Sequence, residues 1–364
     1  MNCPHIPELK YSAFGQRLKE RIADRRVPLS ASLELTFRCN LRCRHCYVQC
    51  DRASWEDDPE LTTDQWCDIL DQLAVAGVLW LLLTGGEPLL RPDFAEIYMH
   101  AKRKGMLVTL FTNGTTVTQE VADLLAAYPP FAVEVSLYGR TAPVYESITG
   151  VPGSFERCMA GIARLAALPI LLRLKTPLMT LNRDELWEIK AYAESLGVDF
   201  RFDPLLNAGL AGGPEPTALR LSPEEVVAYQ LAEDKSRESW CEFYERQTDL
   251  RFDRDRLYSC GAGLHSAHAD PAGRLSICMM ARQPSYDLLR GSFSVAWDEF
   301  IPSVRRAAMR PDAPCHACDL RAVCDNCPAY AIMETGDPCG AVPFLCEVTR
   351  LRTAALAQLT EPAG

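Results

Sequence analysis

Residues 38–50 read RCNLRCRHCYVQC, which sets Cys39, Cys43 and Cys46 in the spacing C-x3-C-x2-C, with Cys50 close behind. Thiolates are soft ligands and strong nucleophiles, so such a run points to a disulfide framework, a zinc site or an iron–sulfur cluster. Three thiolates on one short loop can hold three irons of a [4Fe–4S] cube and leave the fourth iron open, as a catalytic metal keeps a free position. A closed zinc site needs a fourth ligand, which Cys50 or His45 would supply. The loop alone does not choose.

The remaining cysteines are unevenly placed. Of 16 in the chain, four fall within 39–50 and nine within 241–346, and only Cys158 lies between 68 and 240. Cys260 is followed by twelve residues, Gly273, four more residues and Cys278. Then Cys315, Cys318, Cys324 and Cys327 run C-x2-C-x5-C-x2-C, with Cys339 and Cys346 beyond them. Taken alone, that run also permits a zinc-ribbon pair. Cys3, Cys67, Cys158 and Cys241 have no evident partners and read as small core or surface residues.

Composition narrows the choice. The 364 residues are 48% hydrophobic and 24% charged, an ordinary globular balance for two domains or one large domain with an appendage. A net charge of −10 argues against a nucleic-acid surface, which needs Lys and Arg to neutralise phosphates. The first 26 residues lack a signal-peptide core, and VLWLLL at 78–83 is too short to span a bilayer. The expected compartment is the cytoplasm, where clustered thiols serve as metal ligands or catalytic groups rather than disulfides.

The elements that must position these residues alternate. Strands are expected at 33–37, 79–84, 107–112, 131–137, 170–176 and 198–203, as short apolar runs of the kind found in parallel sheets covered on both faces. Between them lies helix grammar. A capping box from Thr62 to Gln65 opens a helix with Trp66, Ile69, Leu70 and Leu73 on one face. Pro92 stands in the first turn of another helix with Gly105 past its end, and Asn182 caps a third that ends at Gly197. Six β–α units with right-handed crossovers make an open or closed parallel barrel. Residues 205–222 read as a Gly/Pro-rich linker, and a helix starts at Ser222-Pro223. In such barrels chemistry sits in the loops after the strands' C-terminal ends. There the expected strands deliver RCNLRCRHC, TGGEP (84–88), TNG (112–114), Ser136, Lys175 and Asp203 to one rim.

CNLRCRHCY followed downstream by TGGEPLL resembles the radical S-adenosylmethionine (SAM) superfamily. The resemblance implies an α/β fold, a partial (β/α)6 TIM-like barrel over 32–205, with a [4Fe–4S] cluster on Cys39, Cys43 and Cys46. Its open iron would chelate the amino and carboxylate groups of SAM. Gly85, Gly86 and Glu87 would line the ammonium group, His45 would lie beside adenine, and Asn113 would join the SAM contacts. Ser136 would meet the ribose, and Lys175, or else Arg173, the methionine carboxylate. Such a site releases a 5′-deoxyadenosyl radical that takes hydrogen from an unactivated carbon. No protein acid–base pair is needed for that step.

The C-terminal cysteines resemble the SPASM extension, which carries auxiliary iron–sulfur clusters. Carried over, the pattern gives Cys260, Cys278 and Cys327 to a first auxiliary cluster, and Cys315, Cys318, Cys324 and Cys346 to a second. The family's block ends C-x3-C where this one ends C-x2-C, so Cys339 competes with Cys327. The first cluster's fourth ligand is left among Cys339, His265, His268, water and substrate. The stretch 135–158 followed by LKTPLMTLN resembles the peptide-maturase branch, with a peptide substrate and an external donor such as flavodoxin or ferredoxin. Met279 follows Cys278 where sulfatase-maturing members would have an acid, so that activity ranks lower.

The expected organisation is an N-terminal extension (1–31), the barrel (32–205), a helical bridge (206–255), the SPASM part (256–350) and a tail (351–364). About thirty residues before the first strand are too few for an independent leader-binding core. A separate recognition protein is expected to hold any leader. The resemblances together imply a radical SAM/SPASM enzyme forming a thioether or C–C cross-link in a ribosomally made peptide. Its rivals are oxidation or epimerisation of a small molecule, an iron–sulfur electron carrier, and a zinc adaptor.

Overall fold

Each expected apolar run pairs in parallel with the next. The strands are β1 (Ser30–Glu34), β2 (Trp80–Thr84), β3 (Leu107–Thr112), β4 (Ala132–Ser136), β5 (Leu172–Pro177) and β6 (Asp199–Asp203). The computed structural model describes residues 11–22, 25–48, 59–210, 212–248 and 253–360. The strand order 6-5-4-3-2-1 is that of an open barrel, not a closed one. β1 starts and ends three residues earlier than expected. Its ladder is set by Ser30 opposite Trp80 and Glu34 opposite Thr84. Leu35 and Phe37 stay buried beyond the end of β1, and Leu35 N still donates to Thr84 O at 2.8 Å, so the cysteine loop starts from a chain held against the end of β2.

The sheet continues past β1. β7 (Ser266–Ala269) pairs with β1 in parallel, and β8 (Arg274–Ser276) and β9 (Tyr286–Asp287) follow antiparallel, giving nine strands in all. β7 reads SAHA, without β-branched residues, so periodicity gave no signal for it. The cysteine-rich part is therefore built onto the barrel's first strand. Leu275, Ile277, Phe293 and Trp297 belong to the same buried core as Leu33, Leu83 and Val133.

The helices follow the capping chemistry closely. α1 (Tyr11–Arg21) precedes the sheet. α2 (Thr63–Ala76) has both halves of the Thr62–Gln65 capping box and ends at Gly77 in the left-handed region. Trp66, Ile69, Leu70 and Leu73 are all buried against the sheet. In α3 (Phe94–Arg103) the N-cap is Asp93, so Pro92 lies outside the first turn. α4 (Gln119–Ala127), α5 (Ala142–Thr149) and α6 (Ser154–Ala166) complete the middle crossovers. α7 (Leu186–Ser195) is not capped by Asn182 as expected. Asn182 is drawn inward, where Oδ1 accepts from Met179 N and Nδ2 donates to Tyr138 O, because those buried backbone groups need partners more than an exposed helix end does. α8 (Pro223–Gln230) starts at Ser222-Pro223 as expected, and the structure adds a complete capping box from Ser222 to Glu225.

Residues 205–222 are not a free linker. Leu206, Ala208, Leu219 and Leu221 are buried, and Leu210 N donates to Tyr47 O at 2.8 Å, so the segment lies along the cysteine loop.

Gly161 of α6 faces the turn after β3 so closely that a Cβ would stand 2.0 Å from Gly114 O. Alanine is the better helix former by about 1 kcal/mol, but forcing this contact costs about 1–3 kcal/mol. Gly161→Ala is therefore expected to lower the urea midpoint. A raised midpoint would show that the contact gives way.

Candidate active site and cysteine clusters

Gly85 and Gly86 leave β2 packed against the chain leaving β1. Gly85 has φ +140°, and a Cβ on it would lie 2.5 Å from Thr36 O. A Cβ on Gly86 would lie 2.3 Å from Arg38 O. Gly86 N donates to Thr36 O and Glu87 N to Arg38 O, each at 2.8 Å. The glycines thus admit the cysteine loop's own backbone. The far end of the loop is held by Arg42 N on Thr149 O (2.8 Å) and Arg44 N on Ile148 O (2.9 Å).

Between these anchors Cys39, Cys43 and Cys46 turn into one cavity of about 360 Å3. His45, Gly85, Gly86, Asn113, Ser136 and Lys175 line it too, so eight strand-end and loop positions named from the sequence meet around one cavity with Cys39. Glu87 does not line it. Its buried carboxylate accepts from Thr112 Oγ1 (2.8 Å), Leu89 N (3.2 Å) and Asn113 N (2.7 Å), tying β2 to the turn after β3. Asn113 then donates from Nδ2 to Asn40 Oδ1 at 2.9 Å, beside Cys39 Sγ at 3.9 Å.

Burial pushes the Cys39 thiol up to about 11, with Glu87 and Cys46 adding to it. Cys43 is raised well above a free thiol by burial and then by Cys46 and Cys39. Three half-buried thiols in one another's field favour a bound cation, which takes their protons away. Burial lowers the His45 imidazole to about 4, so it is neutral, and its Nδ1 has no partner among the described residues. Its ring meets Tyr138 edge-on at 4.7 Å.

Lys175 Nζ sits over the Phe111 ring and 3.8 Å from Glu134 Oε2. Burial pulls its ammonium well below the lysine range, against Glu134 and with Arg201. Arg201 Nη2 takes the same carboxylate at 2.6 Å, and Arg173 approaches Glu134 at 3.7 Å. Lys175 and Arg201 line the cavity and Arg173 does not. Lys175 and Arg201 share Glu134 on this wall, and an arriving carboxylate would favour the charged form of the buried lysine. Arg201 was missed from the sequence, although it stands opposite Lys175 in the β5–β6 register. Asp203 lines the cavity, in keeping with its expected place on the rim, and Asn207, Tyr138, Tyr47 and Met279 line it without having been given a role from the sequence.

Met279 links this cavity to the C-terminal cysteines. Tyr47 Oη lies 4.0 Å from its sulfur. Arg282 donates from Nε to Met279 O at 3.2 Å and from Nη2 to both oxygens of Glu34 at 2.7 and 2.8 Å. The cysteines beyond fall into two groups. Cys327 is raised to about 11 by burial, with Cys278 and Cys260 adding to it, and all three act on Tyr258. Cys346 and Cys315 are raised by burial and by their mutual neighbours Cys318 and Cys324. Cys315, Cys318, Cys324 and Cys346 line a cavity of about 230 Å3 together with Cys327. Cys339 is buried beside Arg310 and Arg321, towards the second group. Cys67 and Cys241 are half-buried and Cys158 is fully buried, whereas Cys3 and Cys50 lie outside the described residues. Among the described residues no three Cys, His, Asp or Glu side chains close tightly on a single-ion site.

Residues 33–193 match the model of the Radical SAM superfamily. The chain carries a radical SAM domain. Over 178 residues it is 37% identical to the AdoMet-dependent heme synthase of Methanosarcina barkeri, covering 48% of this chain and 50% of that protein. Over 185 residues it is 36% identical to the mycofactocin maturase MftC of Mycobacterium tuberculosis, covering 50% and 46%. The chain thus spans about half the length of these curated relatives. The subtilosin biosynthesis protein AlbA of Bacillus subtilis is 27% identical over 318 residues, covering 82% of this chain and 69% of that protein. Beyond the radical SAM domain, the fold is shared with Streptococcus suis SuiB bound to its precursor peptide SuiA. The TM-score there is 0.67 at 17% identity, covering 95% of this chain and 83% of that one.

Glu34 is buried, and its carboxyl is raised by burial in spite of Arg282. Arg282→Ala leaves it unpaired and is expected to cost about 2–4 kcal/mol, most of it recovered by adding Glu34→Leu. In the variant the folded carboxyl titrates above its unfolded value, so the folded state binds more protons and stability falls as pH rises. The urea-midpoint loss should therefore be larger at about pH 8 than at about pH 5; an equal loss would mean that Glu34 is not the group left behind.

Proposed function

We propose that the chain is a radical SAM enzyme that modifies a ribosomally made peptide, forming a thioether or C–C cross-link, with residues 256–350 acting as a SPASM part. The observation that carries this reading is the single cavity shared by the three thiols of the C-x3-C-x2-C loop, the Gly85-Gly86 turn and Lys175. The donor set fits the group: among the described residues three thiols line this cavity, which suits a [4Fe–4S] cluster with one open iron. Bound there and reduced, the cluster would supply the electron that splits SAM into methionine and a 5′-deoxyadenosyl radical.

The protein's own residues bind and orient. Lys175 and Arg201 supply positive charge for the methionine carboxylate, and Gly85 and Gly86 leave backbone open beside the ammonium group. Asn113 holds the Cys39 side of the loop, while His45 and Tyr138 offer ring faces for adenine, with Ser136 near the ribose. Glu87 acts through the turn it fixes. The cavity's apolar wall of Phe111, Phe202, Leu205 and Leu206 keeps water from a reactive carbon. Cys260, Cys278 and Cys327 would hold one auxiliary cluster and Cys315, Cys318, Cys324 and Cys346 another, taking the electron released when a substrate radical is oxidised.

Several relatives favour a peptide as substrate: MftC, AlbA and the PqqA peptide cyclase of Ruegeria pomeroyi, which is 35% identical over 171 residues. A flavodoxin or ferredoxin would deliver electrons, and a separate protein would hold any leader. No helix among the described residues is long and apolar enough to cross a membrane. The proposed place of action is the cytoplasm. The heme synthase match favours a second reading, oxidation of a small molecule on the same cavity.

Anaerobic reconstitution should load about twelve irons with matching sulfide. Dithionite and SAM should then yield 5′-deoxyadenosine, and the Cys39/Cys43/Cys46→Ala variant should yield none. Zinc without sulfide, and no SAM cleavage, would sink the enzymatic reading. Lys175→Met should keep its iron and weaken SAM binding about ten- to a hundredfold, as the loss of a charged partner does. Unchanged SAM affinity would remove Lys175 from the site.

A further inference from the structure

A cube has four iron corners, and Cys260, Cys278 and Cys327 fill only three. A second cavity, of about 520 Å3, opens inside the barrel on the other side of Met279, which lines both. Cys260, Cys278 and His268 share its wall with Ser32, Leu82 and Thr109. His268 lies on β7, opposite Ser32 of β1 and Ser276 of β8, so its strand neighbours fix where its ring stands.

That ring is only 1% exposed. Its Nδ1 stands 3.0 Å from Ser32 Oγ. Its Nε2 is buried and has no hydrogen-bond partner among the described residues; Glu34 Oε1, at 4.0 Å, is beyond reach. A buried ring nitrogen without a partner calls for an explanation. Histidines that bind metals commonly rest their other nitrogen on an oxygen, and Ser32 provides one here.

The other protein candidates fall away on position. Cys339 lies by Arg310 and Arg321, and His265 Nδ1 meets Val27 O at 3.1 Å; neither lines this cavity. Cys327 lines the neighbouring 230 Å3 cavity, but its thiol feels both Cys278 and Cys260, which joins it to this group. We propose that His268 Nε2 completes the ligand set of Cys260, Cys278 and Cys327 around an auxiliary [4Fe–4S] cluster. This rests on reading that region as cluster-bearing. A neutral imidazole in place of a thiolate removes one negative charge and raises the cluster's reduction potential.

The test uses the full chain with Cys39, Cys43 and Cys46→Ala, so that only auxiliary clusters remain, reconstituted with iron and sulfide and grown on 15N-histidine. About eight irons and a directly coupled nitrogen in the pulsed EPR spectrum of the reduced protein, changing between 14N and 15N, are expected. Adding His268→Gln should remove that coupling while iron stays bound, and His268→Cys should lower the potential of one cluster. The labelled spectrum with His268 intact decides the matter even where a variant loses iron. Full iron and sulfide with no histidine coupling would overturn the ligand assignment and leave the cluster reading standing. An absence of iron and sulfide from this variant would overturn both.

Discussion

The site depends on one close approach of backbone to backbone. Where β1 and β2 end, residues 36–38 and 85–87 lie so near that no side chain fits between them. Two hydrogen bonds hold the crossing, from Gly86 to Thr36 and from Glu87 to Arg38. The cysteine loop starts from that clamp, so the position of Cys39 is fixed by sheet geometry rather than by the loop. The same crossing hands the Glu87 carboxylate to the turn after β3, which in turn places Asn113 beside Cys39. Three strand ends are therefore coupled through the backbone and one buried acid.

Charge is handled differently on the two sides of the cavity. Glu134 is shared by Lys175 and Arg201 on the far wall, where burial holds the lysine poised for an anion that would restore its charge. Glu34 is paired two-pronged with Arg282 below, which spends its charge on holding the Cys278–Met279 turn in place. One carboxylate thus tunes a binding wall, and the other fixes the partition between two cavities.

Much of this was legible in the sequence because the signals were local. The apolar runs, the Thr62–Gln65 capping box, the helix start at Ser222-Pro223 and the strand-end placement of Gly85, Asn113, Ser136 and Lys175 follow from short-range chemistry. What escaped depends on contacts between distant residues. β7 carries no strand propensity and exists through its pairing with β1. Asn182 gave up a helix end for buried carbonyls, and 205–222 looked like a linker until its leucines met the core. The register that sets Arg201 next to Lys175 is likewise a property of the folded sheet.

The pairing of β7 with β1 also has a temporal side. β1 is made early and bonded on one side by β2, yet its other edge waits for a strand more than two hundred positions later. On a ribosome adding about 5–20 residues per second, that edge stands open for about ten seconds or more, a row of unpaired amide and carbonyl groups that another chain could occupy. Sheet closure comes only when the cysteine-rich part is out, so the barrel and its second set of thiols reach their final form together.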